Sequence, residues 1–170
     1  MIKQDISENQ VKSIYLGIGS NLGNRKKNID LAKFNLIKRN IEIIKSSNFY
    51  ETLSWPNSSN PKFLNIVIKI KTKLDKIRLL YECKKIEKTL GRRNTAKNSP
   101  RTCDIDIIDY NKIQSKKGIV LPHPRLHKRN FVLFPLFEID KDWYHPVTKN
   151  HIKKLINSLS QRDIITTKQV

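Results

Sequence analysis

The amino-acid sequence predicts an α+β sandwich, a mainly antiparallel sheet with helices packed on it. Three observations lead there. Segments with the two-residue apolar period of strands alternate with segments of helical period. The linkers from the segment Ile41–Thr52 to Phe63, and from Asp106 to Gly118, are too short for crossover helices, which argues against a fully parallel sheet. The 170 residues show no repeat, linker or low-complexity tract, so a single domain is expected over 13–160, with a polar leader at 1–12 and a polar tail at 161–170.

In "SIYLGIG", Ser13 to Gly19, the residues Ile14, Leu16 and Ile18 alternate with Tyr15 and Gly17, the pattern of a half-buried strand. The turn-like "SNLGN" precedes a helix over Arg25 to Arg39, where Ile29, Ala32, Leu36 and Ile37 recur at helical spacing. "IEIIKSSNFYET" reads as a second strand. "FLNIVIKIKT", Phe63 to Thr72, puts Leu64, Ile66, Ile68 and Ile70 on one face and Phe63, Asn65, Val67 and Lys69 on the other. Asp75 is placed to cap a helix whose apolar line Leu79, Cys83, Ile86 and Leu90 ends at Gly91. After the basic loop "RRNTAKNSPR", a strand from Thr102 turns Cys103, Ile105 and Ile107 to one side and Asp104 and Asp106 to the other. A short strand at Gly118 to Leu121, the loop "PHPRLHKR" and a short buried helix "NFVLFPLFEI" carrying Phe131, Phe134 and Phe137 complete the pattern.

Thirty-four basic against fifteen acidic side chains give a net charge of +19, which attracts polyanions. The lysines are scattered, however, and Lys, Asn and Ile are abundant together, so solvated helix faces explain most of that charge. Cys83 and Cys103 have no CxxC spacing and are too few for a disulfide framework, which suits a reducing cytoplasm. No targeting segment and no run of about 18 apolar residues is present, so no membrane is expected as a partner.

Two carboxylates at i and i+2 on one strand face repel each other unless a cation compensates. Magnesium suits them, because it takes one or two protein carboxylates and completes its shell with water and phosphates. Arg101, Arg92 and Arg93, with His123 and Arg129 further on, supply positive groups for a polyphosphate. The competing reading is an exposed strand face whose aspartates pair with Arg or Lys. There is no GxxxxGK[ST] motif, and "GIGSNLG" has the wrong spacing for GxGxxG, so phosphates must be held by side chains and metal. Phe63 with Asn65 beside it offers an aromatic plane and an amide to a flat heterocycle, and Phe131 could add a second plane; both rings could equally be core residues.

The segments "YLGIGSNLGN", "FYET", "FLN", "IEKTLGR", "PRTCDIDII" and "LPHPRLHKRNFVLFPL" together resemble the 6-hydroxymethyl-7,8-dihydropterin pyrophosphokinases of folate biosynthesis, over about Ser13 to Ile139. The resemblance implies a ferredoxin-like α+β fold and transfer of the terminal diphosphate of ATP to the pterin hydroxymethyl group with release of AMP, assisted by two Mg²⁺ ions. By matching position, Asp104 and Asp106 are implied as metal ligands and, with Arg92 and Arg101, as the catalytic set. Arg92, Arg101, His123 and Arg129 are implied to hold phosphates, and Lys84, Glu87 and Ile107 to line the nucleotide pocket. Phe63 and Phe131 are implied to sandwich the pterin, with Asn65 and Thr52 bonding its edge and main-chain groups around Leu53 to Trp55 finishing recognition.

The chain departs from the family pattern in the loop after the second helix, where "GRRN" and "KNSPR" place Asn94 and Asn98 at positions often held by Arg and Trp; Arg93 or Lys97 could replace the charge. Lys84 also stands where an amide is common, and Pro124 where a tyrosine occurs. The expected protein is a monomeric cytoplasmic enzyme with ATP and the pterin as partners and no nucleic acid. The rival is a basic RNA-binding module in which Phe63 stacks a base, but it leaves two aspartates unexplained in a polyanion site. A third reading is a pyrophosphokinase that still binds its substrates but has lost efficient transfer through the altered loop.

Overall fold

The structure, a computed structural model, describes residues 13–93, 96 and 98–170. The leader 1–12 and the positions Asn94 and Lys97 lie outside the described residues. The order is β1 (Ile14–Ser20), α1 (Arg25–Ile37), β2 (Glu42–Ser46), β3 (Tyr50–Thr52), β4 (Phe63–Lys71), α2 (Lys76–Thr89), β5 (Asp104–Tyr110), a 3₁₀ turn (Leu126–Lys128), α3 (Asn130–Ile139), α4 (Ile152–Asn157), α5 (Gln161–Ile165) and β6 (Lys168–Gln169). The sheet runs β5-β1-β4-β3-β6, with β2 also on β4. Every pairing is antiparallel, as the short linkers required. Two β-α-β units, β1-α1-β2 and β4-α2-β5, interleave so that β4 lies between the strands of the first and β1 between the strands of the second, the split arrangement of a ferredoxin-like sandwich.

Alternation along the strands makes two cores. Ile14, Leu16 and Ile18 of β1, the four aliphatics of β4 from Leu64 to Ile70, and Ile105 and Ile107 of β5 pack against Ile29, Ala32 and Leu36 of α1 and Leu79, Cys83 and Ile86 of α2. On the other face Tyr15, Val67 and Ile108 meet Val132, Leu133 and Leu136 of α3, together with Trp143, Ile152 and Leu155. The α2 ends follow the sequence: the Asp75 carboxylate accepts from the Ile77 and Arg78 amides, and Gly91 takes φ +85° just past the last turn. Cys83 and Cys103 are free and buried, and burial pushes both thiols up to about 12, so neither is a thiolate nucleophile at neutral pH.

Four expectations differ from what forms. The segment Ile41–Thr52 is two strands rather than one, because at Ser47 the hydroxyl accepts the Val67 amide at 3.0 Å in place of a carbonyl, and β2 bulges between Ile43 and Lys45. Gly118 to Leu121 forms no strand; Gly118 turns the chain at φ +77°, leaving only a bridge between Leu121 and Ser115. The helix "NFVLFPLFEI" is present, but Val132, Leu133, Leu136 and Ile139 face inward while Phe131, Phe134 and Phe137 lie on its half-buried flank. The expected polar tail 161–170 carries α5 and the edge strand β6. No described helix is long and apolar enough to cross a membrane.

Candidate active site

A cleft of about 230 Å³ opens at the ends of β1, β4 and β5 and is closed on one side by α3. With Ile105 and Ile107 committed to the core, the strand period forces Asp104 and Asp106 into this cleft. Each acid is met by cations. Arg92 reaches Asp104 at 2.6 Å and Arg101 does so at 3.3 Å, while Arg129 donates to Asp106 at 3.1 Å and His123 Nε2 lies 3.7 Å from the same oxygen. The pairing that the competing reading anticipated is therefore real, though it occurs inside a cleft rather than on an open face.

Glu87 explains how Arg92 is aimed. Its carboxylate, 2% exposed, pairs with Arg92 at 2.6 Å through one oxygen and accepts from Lys84 and the Ile105 amide, each at 2.7 Å, through the other. One buried acid thus ties α2 to β5 and orients a guanidinium toward Asp104. Burial alone would lower the Arg92 pKa, but Asp104 and Glu87 raise it above the ordinary arginine value.

Burial also pushes the Asp106 carboxyl up, yet His123, Arg129 and Lys84 together hold it below the ordinary aspartate value. His123 itself is lowered, first by burial and then by Arg129, despite the opposing pull of Asp106. At pH 7 His123 is therefore neutral, and Arg129 and Lys84 keep Asp106 ionised. Arg129 is lowered by burial, which outweighs Asp106, but guanidinium stays charged across the physiological range.

The far end of the cleft is aromatic. Phe63 and Asn65 project from one face of β4, and the Asn65 amide donates to Thr52 Oγ1 at 3.2 Å. Leu53 and Trp55 follow β3 along the wall, and Phe131 enters from α3. Guanidinium groups lie over three of the rings: Arg101 over Phe63 at 5.7 Å, Arg129 over Phe131 at 5.2 Å and Arg125 over Trp55 at 5.2 Å. Glu87 and Ile107 do not line the cleft: Glu87 sits beneath it, and the Ile107 side chain, 3% exposed, belongs to the core.

Sequence reasoning missed several members. Gly17 and Gly19 form part of the floor, and a Cβ at Gly19 would stand 2.7 Å from Asn65 Oδ1. The signal was the pair of glycines two residues apart on one face of β1. Arg125, in the basic loop before α3, also lines the cleft. Asn21, 3% exposed, joins three loops around it: its amide oxygen accepts the Arg101 amide at 2.7 Å, its side-chain nitrogen donates to the Pro61 carbonyl at 3.1 Å, and that nitrogen also reaches Ser54 Oγ at 3.3 Å.

Among the described residues no three His, Cys, Asp or Glu side chains gather as a metal cluster. Asp104 and Asp106 alone fit a hard divalent cation that draws its remaining ligands from water and phosphate. Cations surrounding two carboxylates at one end, and rings beside an amide at the other, suit a polyphosphate and a flat heterocycle in one cleft.

Comparison with known proteins agrees. Residues 15–141 match the model of the family described as 7,8-dihydro-6-hydroxymethylpterin-pyrophosphokinase. The 2-amino-4-hydroxy-6-hydroxymethyldihydropteridine pyrophosphokinase of Aquifex aeolicus is 39% identical over 143 residues, covering 84% of this chain and 89% of that protein. A folic acid synthesis protein, fol1, of Pneumocystis carinii is 38% identical over 93% of this chain, which spans only 22% of that longer protein. Among solved structures, a Plasmodium falciparum HPPK-DHPS crystallised with pteroate superposes with a TM-score of 0.72 at 15% identity, over 96% of this chain and 47% of that one, which speaks to the fold alone.

Proposed function

The chain belongs to the 7,8-dihydro-6-hydroxymethylpterin-pyrophosphokinase family, whose members transfer a diphosphate from ATP to hydroxymethyldihydropterin in folate synthesis, and we propose that the cleft around Asp104 and Asp106 performs that transfer. The observation that carries the reading is the side-by-side placement of the two aspartates within one cleft that also holds Phe63 and Asn65. In the reaction the pterin hydroxymethyl oxygen attacks the β-phosphorus of ATP, the bond from that phosphorus to the α-phosphate oxygen breaks, and AMP leaves.

The chain's own residues divide the work. Phe63 and Phe131 hold the pterin plane from β4 and α3, while Asn65 and Thr52 read its edge and Leu53 to Trp55 bound it. Arg92, Arg101 and Arg129 grip the phosphates through guanidinium forks, and neutral His123 serves as a hydrogen-bond group rather than a charge. Lys84 faces the nucleotide, with Glu87 acting through Lys84 and Arg92, and the buried side chain of Ile107 leaves only its main chain to meet a ligand. Two Mg²⁺ ions would be held by Asp104 and Asp106; when bound they neutralise triphosphate charge and polarise the phosphoryl group. A single domain, acting as a cytoplasmic monomer without nucleic acid, completes the proposal.

Chromatographic separation of adenine nucleotides after incubation with Mg²⁺, ATP and 6-hydroxymethyl-7,8-dihydropterin tests it. AMP in step with pterin diphosphate is the expected result; ADP alone, or no nucleotide turnover in a single-turnover assay, overturns it. A second expectation concerns the floor. Gly19→Ala drives a methyl group into the Asn65 amide, so the pterin KM should rise about tenfold, equivalent to ~1.4 kcal/mol, with the ATP KM little changed. Equal rises in both constants would contradict a local effect.

A further inference from the structure

Residues 161–170 lie beyond the family match, yet they touch both walls of the aromatic end of the cleft. On one wall, β6 extends the sheet by pairing Gln169 with Tyr50 and Lys168 with Glu51, and the Val170 amide donates to the Phe49 carbonyl at 2.9 Å. The opposite edge of β3 pairs Thr52 with Phe63 and Tyr50 with Asn65. On the other wall stands Asn130, the first residue of α3, between Arg129 and Phe131. Its side-chain nitrogen donates to Thr167 Oγ1 at 2.9 Å and to the Asp163 carbonyl at 3.1 Å, while its oxygen accepts the Phe131 amide at 2.9 Å. The Thr167 hydroxyl closes the clasp by donating to the Asp163 carbonyl at 2.6 Å.

Asn130 is 9% exposed, and both bonds from its amide nitrogen end on this one segment. A buried amide stripped of those partners would carry unsatisfied donors, so its position depends on the segment. Directly after Thr167 the chain becomes β6, so the anchor at α3 and the anchor at β3 are consecutive residues. A second cavity, about 320 Å³, lies between them, bounded by Leu53, Trp55, Phe131, Arg162 and Thr166.

We propose that the segment from Gln161 to Val170 is a positioning strap that fixes the β3 wall, with Thr52 and Leu53, relative to the α3 wall, with Arg129 and Phe131. The proposal rests on the pterin reading of that end of the cleft. The strap has no bond to Asp104, Asp106 or Arg92 among the described residues, so it sets how well the heterocycle is held and leaves the phosphate end alone.

Thr167→Val tests this in the full chain, since valine keeps the shape and β-branch of threonine and removes only the hydroxyl. The expected result is a pterin KM raised about fivefold, the scale of the neutral hydrogen bond that Asn130 loses, with the ATP KM within about twofold. Amide hydrogen exchange should quicken at 50–52 and 130–132 but not in β1 or α1, and Thr167→Ser should restore both readouts. An unchanged pterin KM, or equal rises in both KM values with faster exchange throughout, overturns the strap. Should the unaltered protein form no AMP, the pterin reading fails by itself and exchange decides: local quickening at the two walls supports the strap, and unchanged exchange there removes it.

Discussion

Asp104→Ala or Asp106→Ala should lower AMP formation at least about a thousandfold, ~4 kcal/mol of barrier, while leaving the fold in place. These acids are the oxygen donors through which magnesium would meet the triphosphate, and no cluster of three candidate ligands exists among the described residues to replace them. Both side chains face the cleft, whereas Ile105 and Ile107 supply the strand's core contacts and are untouched. Arg92 would keep its 2.6 Å pairing with buried Glu87 after loss of Asp104, so the local scaffold survives. Asp106 carries a further consequence. Its carboxyl is lowered in the folded protein, so its ion pairing stabilises the fold above the unfolded value near about pH 4 and is lost as pH falls through the lower folded value. Asp106→Ala should therefore flatten that part of the acid-stability profile. Steady-state AMP formation and thermal unfolding across pH check both statements; activity within tenfold of the parent in either variant would contradict the metal role.

Arg101→Ala should cost about a hundredfold or more in kcat/KM, ~3 kcal/mol, and Arg101→Lys should recover little of it. Arg101 touches both halves of the cleft, pairing with Asp104 at 3.3 Å and lying over the Phe63 ring at 5.7 Å. Its Nε is buried with no hydrogen-bond partner, one of two such side-chain atoms among the described residues. A guanidinium with an idle donor beside the Asp104 carboxylate is ready to take a phosphate oxygen, and lysine cannot offer that fork. Full activity in Arg101→Lys would show that only a positive charge is needed there.

Much of this was legible because the strands obey a strict two-residue period. Once Leu64, Ile66, Ile68 and Ile70 were committed to the core, Phe63 and Asn65 had to share the other face, and the same reasoning paired Asp104 with Asp106. What stayed hidden is long-range or polar. Ser47 interrupts a strand through a single hydroxyl bond to Val67, which no periodicity records. Pro135 and the apolar run around it mark α3 as buried but do not say which flank faces inward, and the structure turns Val132, Leu133, Leu136 and Ile139 to the core and leaves the three phenylalanines half-buried. Asn21 gains its importance only when the loops bearing Ser54, Pro61 and Arg101 meet. The segment 161–170 reads as polar tail because a two-residue edge strand and a five-residue helix leave almost no pattern.

The most direct measurement is binding of Mn²⁺, as a paramagnetic substitute for magnesium, followed by electron paramagnetic resonance with α,β-methylene ATP present to prevent cleavage. The parent should bind the ion tightly together with the nucleotide, and a chain carrying both Asp104→Asn and Asp106→Asn should lose that binding while its thermal midpoint holds. Undiminished binding by the doubly substituted chain would contradict the assignment of these aspartates as the metal-bearing pair.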